Sequence, residues 1–396
     1  MRMNHDYLKY ILIVFLIGTI ISGCERKLPT WEDPHPAGAL TPEITSIEPD
    51  TAYSGELATI TGKNFNPNPG KNFVVFGKSP TIADSATEST LKVTVPPGGG
   101  MEFTPVAVKA ASEGSEYWSN ELDFTFRPIL SIFRDDFSCT RGIEFDEDGN
   151  CYVSDPDDWA VYKITPEGDK TVYAETSGPG DIVFDRDGYL YVCNKWDSEI
   201  YRIDPGGGNV ELFTDEVPDP VSLDWDDNGN MYVVAEWEGI YRITPGGTVS
   251  QLDVGDFQHG ASIRVFDGYI YWGDAGDSGD GNNHIMKAPI IAGGVGTAEV
   301  VYEDPDWNGT YISGPSGINI DVEGNVYAVS RYWDGCLKLS RFTPDGTPQM
   351  IVELPTSNNK YIAFWGKSVY ITTQWEGLIY KVFVGEEGAP PYAWGQ

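Results

Sequence analysis

The stretch Gly142-Ile-Glu-Phe-Asp-Glu-Asp-Gly-Asn-Cys-Tyr-Val153 decides the fold, because variants of it recur along the larger part of the chain. Each copy consists of an apolar segment, a turn rich in Asp and Gly, and a second apolar segment. A turn of this composition joins the two strands of a hairpin. The other five copies are Asp181 to Val192, Ser222 to Val233, Ser262 to Trp272, Gly317 to Ala328 and Tyr361 to Ile371.

The period of the repeat predicts the architecture. Successive copies lie about 40 residues apart, and each continues through a polar loop into further short strands. A single sheet of this kind cannot bury both of its faces, so neighbouring sheets must pack on one another around a ring. The six copies therefore predict a six-bladed β-propeller over residues 128–396.

The two ends of this region predict how the ring closes. The last copy runs into Ile379-Tyr-Lys-Val-Phe383 and then into a Gly/Pro-rich tail, so it lacks a fourth strand. Pro128-Ile-Leu-Ser-Ile-Phe133 precedes the first copy and has the pattern of a strand without a sheet. We expect this strand to become the outer strand of blade six, since the pairing removes an exposed sheet edge.

The units resemble NHL repeats and, more loosely, the lactonase-type six-bladed propellers, over residues 128–385. Propellers include enzymes and binding modules alike, so the resemblance implies an architecture and leaves the activity open. Lactonase-type propellers use a Glu, Asn and Asp set around a divalent metal, and that set cannot be placed at matching strand positions here. Lyases of the streptogramin type use His, but His259 and His284 lie in no recognisable motif. A metal-dependent hydrolase or lyase in the channel is therefore the alternative function, and no catalytic residue is assigned.

The N-terminus predicts export and lipidation. Arg2 and Lys9 precede an apolar run from Tyr10 to Ile21, which has the pattern of a signal peptide and is too short for a membrane span. The run ends in Ile21-Ser-Gly-Cys24, which resembles a bacterial lipobox. This resemblance implies cleavage before Cys24 and acylation of its thiol, and several acyl chains anchor a protein durably. Residues 1–23 are predicted to be the signal peptide, and residues 24–40, polar and rich in proline, a tether.

Residues 41–127 have a different pattern. Short alternating strands such as Phe73-Val-Val-Phe76 follow one another closely, which predicts a small β-sandwich. The Ser46-Ile-Glu-Pro49 opening and the Ile60-Thr-Gly-Lys-Asn-Phe65 strand resemble those of an IPT/TIG domain, an immunoglobulin-like module that usually acts as a spacer. The whole chain is therefore predicted to be all-β, a sandwich followed by a propeller.

Composition restricts the partners. The chain carries 60 acidic and 26 basic side chains, a net charge of −34. So negative a surface repels nucleic acid and other polyanions, and no nucleic-acid partner is expected.

The cysteines beyond Cys24 show no CxxC spacing and lie in different copies, so buried free thiols are expected; a bridge between Cys139 and Cys151 is the alternative. These cysteines are Cys139, Cys151, Cys193 and Cys336.

An Asp-rich segment is a candidate metal site. The stretch Asp274-Ala-Gly-Asp-Ser-Gly-Asp-Gly-Asn-Asn283 offers Asp274, Asp277 and Asp280 as ligands. These oxygens suit Ca²⁺, which takes about six to eight of them from a flexible loop. The spacing does not match an EF-hand, and a solvated Asp/Gly turn is the alternative. No other cofactor is predicted.

A tryptophan recurs in the loop between the second and third strands of the copies. Sugar rings stack their C–H faces on flat aromatic side chains, while their hydroxyls need polar groups at the rim, and acids or amides flank each of these indoles. In propellers these loops share one face, so we expect the indoles to surround one mouth of the channel. The alternative is that each indole packs between blades. The predicted ligand-binding tryptophans are Trp159, Trp196, Trp237, Trp333 and Trp375.

The residues just before the inner strands should face the same mouth. Arg141, His259 and Lys360 occupy such positions, where they would orient an anionic or hydroxyl-rich ligand or else neutralise nearby acids. The predicted function is glycan binding by a lipid-anchored outer-membrane protein exposed on the cell surface. The chain resembles accessory proteins of glycan-uptake systems in Bacteroidota-like bacteria, which implies a TonB-dependent transporter as a partner. A protein-interaction scaffold is the remaining alternative.

Overall fold

The structure, a computed structural model, describes residues 40–98, 102–115, 117–275, 283–303, 315–330, 337–356 and 358–394. These residues form strands joined by turns, with no α-helix among them, so the predicted all-β class is confirmed. Within the described part, no helix is long and apolar enough to cross a membrane. The chain divides into two compact units, of which the second contains all of residues 124–396. The predicted signal peptide, Cys24 and nearly all of the tether lie outside the described residues.

The N-terminal strands form a sandwich of two sheets. They are, as β1 to β9, Glu43–Glu48, Thr51–Ala52, Leu57–Lys63, Asn72–Phe76, Ser79–Ile82, Ser85–Ala86, Thr90–Thr94, Thr104–Ser112 and Leu122–Phe126. One sheet has the order β1-β3-β7-β6 and the other the order β2-β9-β8-β4-β5. Buried and exposed side chains alternate along strands such as β3 and β4, because each sheet has one face in the core.

Each of the six copies predicted from the sequence forms one sheet of the propeller. Blade one consists of Ile143–Phe145, Cys151–Asp155, Ala160–Ile164 and Lys170–Glu175; blade two of Ile182–Phe184, Leu190–Asn194, Glu199–Ile203 and Val210–Thr214; blade three of Pro220–Trp225, Met231–Ala235, Gly239–Ile243 and Val249–Leu252. Blade four consists of Gly260–Phe266, Tyr269–Ala275, Asn283–Ile291, Gly294–Val295 and Glu299–Glu303; blade five of Pro315–Ile320, Val326–Ser330, Leu337–Phe342 and Pro348–Leu354. Within these blades the strands pair in chain order, except that Glu299–Glu303 of blade four pairs with Asn283–Ile291. Apolar clusters between neighbouring blades make the core.

Blade six closes the ring as predicted. Its own strands are Asn359–Trp365, Ser368–Thr373 and Ile379–Phe383, and its outer strand is Leu130–Arg134, from before blade one. The two outer strands pair antiparallel, with Leu130 opposite Val382. The pairing ties the start of the propeller to its end and covers what would otherwise be an exposed edge.

The Asp that opens the hairpin turn holds that turn closed. In blade one, Oδ1 of Asp146 accepts the backbone N–H of Asp148 at 3.1 Å and of Asn150 at 2.8 Å. Gly149 in the same turn has a φ of +82°, a conformation that glycine adopts without strain. The same pair of bonds recurs in blades two, three and five, at Asp185, Asp226 and Asp321. The recurring Asp and Gly of the repeat are therefore explained by the turn.

The innermost strands line the central channel, where polar side chains satisfy their free N–H groups. Asp224 accepts the N–H of Trp225 with one carboxylate oxygen and that of Val265, in the next blade, with the other, each at 2.8 Å. Asn319 accepts the N–H of Ile320 at 2.8 Å. Because an unsatisfied buried N–H is costly, these channel residues have a structural role.

The C-terminal segment, residues 385–394, crosses the end of the channel opposite the tryptophan loops. Ala389 donates its N–H to the carbonyl of Ile320 in blade five at 2.8 Å, and the ring of Tyr392 stacks on Trp225 of blade three. Gly388 is required by this path, since a Cβ there would lie 2.1 Å from the Cβ of Phe364.

Candidate functional site

The predicted ligand-binding tryptophans that the structure describes lie in the loops between the second and third strands of their blades. All four are exposed, with fractions of 60% for Trp159, 68% for Trp196, 47% for Trp237 and 52% for Trp375. Trp333 lies outside the described residues. The described indoles therefore do not pack between the blades.

The residue that ends the second strand shapes the loop that follows. In blade two, Asn194 Oδ1 accepts the backbone N–H of Trp196 at 3.1 Å, and its Nδ2 donates to Asp197 at 2.8 Å. In blade one, Asp155 Oδ1 accepts the N–H of Asp157 at 3.1 Å. Side chains of this kind stabilise tight turns by bonding backbone two or three residues on. The turn begins directly after the apolar strand, so the indole lies in the turn and outside the buried strand.

Three of these indoles line one cavity of about 610 Å³ at the channel mouth, which we call the upper cavity. Its size is within the range of about 300–1,000 Å³ that is usual for small-molecule sites. Arg141 and Lys360, from just before the inner strands of blades one and six, line it as well. The structure thus brings five predicted residues together, namely Trp159, Trp196, Trp375, Arg141 and Lys360.

Tyr361 forms the floor of the upper cavity. Its ring is buried, and its hydroxyl donates a hydrogen bond of 2.7 Å to the carbonyl of Val221, which belongs to blade three on the opposite side of the ring. Both residues line the upper cavity. The cavity at the other end of the channel shares no lining residue with it. The channel is therefore divided by a side chain, and the upper cavity is blind.

Arg141 brings a positive charge into the upper cavity. Its guanidinium carbon lies 5.9 Å from the centre of the Trp196 ring. Its Nε is buried and makes no hydrogen bond, and no carboxylate of the described part of the chain forms an ion pair with it. The described residues therefore leave the positive charge of this guanidinium without an anionic partner.

The acids around the cavity are mostly engaged by protein groups. Glu236 forms an ion pair with Lys195 and lies 3.2 Å from the ring nitrogen of His259. Asp197 accepts from Asn194 Nδ2 at 2.8 Å and from Ser177 at a longer 3.3 Å. Lys195 thus offsets the charge of Glu236, and His259 lies within hydrogen-bond distance of the same carboxylate.

Trp237 and His259 do not join the upper cavity. Their rings stack on each other with centroids 3.9 Å apart and planes inclined by 5°, and the His259 side chain is buried. Trp237 lines a separate depression of about 420 Å³ with residues of its own blade. The expectation that all the indoles and all three cationic positions serve one mouth is therefore wrong for this pair, because the imidazole covers one face of the indole.

The cysteines are free thiols where they are described. Cys139, Cys151 and Cys193 are buried and unbridged, so the alternative of a Cys139–Cys151 disulfide is wrong; Cys336 lies outside the described residues. Cys139 lines the upper cavity, where burial raises the pKa of its thiol to about 12. A thiol that stays protonated at neutral pH is a poor nucleophile.

The lower cavity, of about 710 Å³, lies between the inner strands and the C-terminal segment. It holds a Glu, an Asp and an Asn at the same strand position of blades one, three and five, which are the residue types of the lactonase-type set. These residues are Glu144, Asp224 and Asn319, and Arg264 occupies the same position in blade four.

This set does not fit a divalent metal. Both oxygens of Asp224 and the carbonyl oxygen of Asn319 already accept backbone N–H groups. The guanidinium of Arg264 supplies a positive charge among them, with Nη1 3.9 Å from Asp181. Burial raises the pKa of Glu144 to about 8 and that of Asp224 to about 6, although Arg264 opposes both shifts. Among the described residues, no cluster of His, Cys, Asp and Glu could hold a metal ion.

Asp274, the first residue of the predicted calcium loop, has a structural partner. Its side chain is buried, and its Oδ1 accepts the backbone N–H of His259 at 3.0 Å. Asp155 does the same in blade one, where its Oδ2 accepts the N–H of Ser138 at 2.9 Å. Asp277 and Asp280 lie outside the described residues.

Sequence reasoning missed Tyr361 as part of the site, and it placed Lys195 beside Trp196 without its ion pair to Glu236. A signal for Tyr361 was present, since the other five copies begin with Gly, Asp or Ser and only blade six begins with a large aromatic residue. A bulky side chain at a position that faces the channel predicts obstruction of the channel. For Lys195, the partner Glu236 lies in the next blade, and a repeat pattern does not specify contacts between side chains of different copies.

Comparison with known proteins supports the two-part architecture. Residues 42–126 match the IPT/TIG domain family, which confirms that resemblance for the sandwich. No curated protein matches the chain.

Among solved structures, an auxiliary nutrient binding protein from Bacteroides thetaiotaomicron is similar over 88% of this chain and 98% of its own, with 14% identity and a TM-score of 0.53. A gluconolactonase from Xanthomonas campestris is similar over 66% of this chain and 89% of its own, with 16% identity and a TM-score of 0.55. Regucalcin from Agrobacterium tumefaciens, described as a calcium-binding protein, is similar over 66% of this chain and 95% of its own, with 18% identity and a TM-score of 0.53. At such identities the likeness shows the propeller fold alone, and the finer resemblance to NHL repeats stays a prediction.

Proposed function

We propose that the propeller binds a glycan in the upper cavity, as an accessory protein of a nutrient-uptake system. The observation that carries the proposal is that three exposed indoles, of Trp159, Trp196 and Trp375, line one blind cavity together with charged and amide side chains. Exposed indoles lose contact with water favourably when a sugar face covers them, and the polar groups between them bind hydroxyls. The nutrient-binding description of one structural neighbour is compatible with this function.

We further propose that the chain is a lipoprotein, anchored through Cys24 in the outer membrane and exposed at the cell surface. The proposal rests on the signal-peptide pattern and on the lipobox-like Ile21-Ser-Gly-Cys24. A TonB-dependent transporter is the proposed partner, because a surface protein that captures glycan must pass it to an importer. Metabolic labelling with a fatty-acid analogue tests the anchor: label is expected in the wild type and absent from Cys24→Ala.

Glycan binding is tested on an oligosaccharide array and by isothermal titration with the best ligand. Trp196→Ala and Trp375→Ala are each expected to weaken binding roughly tenfold, since truncating a buried aromatic anchor costs about 1–2 kcal/mol or more. The matched control is Trp118→Ala, which removes an indole of similar exposure, 44%, from the sandwich. Equal binding by all three variants, or no binding of any glycan by the wild type, would contradict the proposal.

A metal-dependent hydrolase or lyase remains the alternative, and it is consistent with the lactonase among the structural neighbours. The two functions are separated by incubating the purified protein with lactones and with the bound glycan, with and without EDTA. Turnover that EDTA abolishes would favour the enzyme. A scaffold for other proteins would instead give no turnover and no glycan binding.

Calcium binding by the blade-four loop is a separate proposal that concerns Asp274, Asp277 and Asp280. A neighbour described as calcium-binding shares the propeller fold. Terbium luminescence tests it: sensitised emission that Ca²⁺ displaces is expected from the wild type and not from Asp277→Asn/Asp280→Asn, and equal emission from both would reject the loop.

A further inference from the structure

We propose that the glycan bound in the upper cavity is acidic, and that Arg141 binds the carboxylate of a uronic-acid unit. This inference rests on the proposed function, because it specifies the ligand of the same cavity. It assigns to Arg141 the role of selecting charged over neutral sugars.

Within the part of the chain that the structure describes, Arg141 lacks an acidic partner in a strongly acidic protein. The chain has more than two acidic side chains for every basic one, and several arginines of the propeller lie against a carboxylate. These are Arg134 with Asp136, Arg186 with Asp227, Arg202 with Glu211 and Arg264 with Asp181. Arg141 has no such partner among the described residues, and it lines the upper cavity. Among these residues, Arg242 and Arg341 also lack a carboxylate partner, but they do not line this cavity.

The guanidinium of Arg141 is partly removed from solvent. Its Nε is buried without a hydrogen-bond partner, so this part of the group has lost water without gaining a hydrogen bond from the protein. An unmatched charge in such a place is costly, and an anionic ligand relieves that cost. A guanidinium presents parallel N–H donors that match the two oxygens of a carboxylate, which a single sugar hydroxyl cannot match.

The acids that line the upper cavity with Arg141 are bound by other groups or exposed to solvent. The nearby acids Glu236 and Asp197 are held by Lys195, His259 and Asn194, so they are less able to attract the guanidinium. Asp157 lines the cavity with an exposed side chain and is screened by solvent. Lys360 adds a second positive group from the neighbouring blade.

The indoles give the bound sugar its orientation. The guanidinium carbon of Arg141 lies 5.9 Å from the centre of the Trp196 ring. A sugar ring that stacks beside this indole therefore brings an exocyclic carboxylate within reach of the guanidinium. A neutral sugar in the same position gains the stacking contact but leaves Arg141 unpaired.

The test is an array of uronic-acid oligosaccharides, their carboxyl-reduced counterparts, sulfated oligosaccharides and neutral oligosaccharides, followed by titration of the best pair. We expect the uronic-acid form to bind at least tenfold more tightly than its reduced form. Arg141→Gln should weaken binding of the acidic form by roughly 10- to 100-fold, the loss typical of a charge-assisted bidentate contact, and leave the reduced form nearly unchanged. Arg141→Lys should retain part of the affinity.

Arg202→Gln is the matched control, because it removes the same charge from a residue that does not line the cavity. If its effect equals that of Arg141→Gln, long-range attraction explains the preference and the site claim is wrong. Equal binding of the acidic and reduced forms, or binding of sulfated forms only, overturns this inference and leaves glycan binding intact. A lack of binding to every oligosaccharide overturns the proposed function itself.

Discussion

At the scale of single residues, a polar side chain in the channel wall can resemble a catalytic group although its observed role is to accept a backbone hydrogen bond. Glu144 lies in the lower cavity, and one carboxylate oxygen accepts the N–H of Phe145 at 3.0 Å. Burial raises the pKa of this carboxyl from its ordinary value of 4.5 to about 8, and the positive charge of Arg264 only partly opposes the shift. Glu144 is thus held in a site that favours its neutral form.

This shift predicts how stability depends on pH. Because the folded protein binds the Glu144 proton more tightly than the unfolded chain does, the stabilisation is complete below pH 4.5 and is lost as the pH rises through about 8. Glu144→Gln keeps an acceptor for the Phe145 N–H and removes the titration. We expect the variant to lose less Tm than the wild type between pH 5 and pH 9, as measured by differential scanning fluorimetry. The same fall in both proteins would show that Glu144 is not the titrating group.

For the tryptophans, the sequence could predict exposure to solvent but could not predict which other side chains each indole contacts. Exposure of Trp196 followed from its place in a turn after an apolar strand. The stacking of Trp237 on His259 did not, because the two residues lie 22 positions apart and their contact depends on side-chain rotamers that the repeat does not specify. Contacts of this kind decide which predicted residues share a cavity.

At the scale of elements, the strand Leu130–Arg134 carries the closure of the ring. Leu130 is buried in the cluster that includes Val369, Ile371 and Val382 of blade six, whereas Ile132 on the same strand is 55% exposed. Closure was predictable because a strand without a sheet and a sheet without a fourth strand stood at opposite ends of the repeats. The path of the C-terminal segment was not, since it has no repeating pattern.

Two positions on this strand differ in burial and predict different outcomes. Leu130→Ala removes buried methyl groups at the point where the ring closes, and we expect it to lower the free energy of unfolding by about 2–4 kcal/mol. Ile132→Ala, the control on the same strand, should change it by less than about 0.5 kcal/mol. Urea denaturation followed by circular dichroism measures both. Similar losses for the two variants would mean that closure does not depend on burial at Leu130.

At the scale of the whole propeller, the channel has two ends with different roles. Tyr361 separates the upper cavity from the lower one, and the C-terminal segment covers the lower end through Ala389 and Tyr392. Arg186 adds to this cover, with its guanidinium 4.1 Å from the centre of the Tyr392 ring. The lower end is therefore covered by the chain itself, and the proposed function has the ligand enter from the end that carries the tryptophans.

Removal of residues 386–396 tests this division. The truncated protein loses the contacts of Tyr392 and Ala389, and we expect its Tm to fall by about 5 °C or more. Its affinity for glycan should stay within about twofold of the wild type, because Tyr361 still closes the upper cavity from below. Loss of binding at a temperature where the truncated protein is folded would show that the two cavities are coupled.

The central claim is that exposed indoles around one blind cavity contact a sugar. The most direct measurement is ¹⁹F NMR of protein labelled with 5-fluorotryptophan, with resonances assigned by single substitutions and followed during titration with the glycan that binds best. Shifts are expected at Trp159, Trp196 and Trp375 and none at Trp272, which is buried within blade four. Saturable binding that leaves the three cavity resonances unmoved would contradict it.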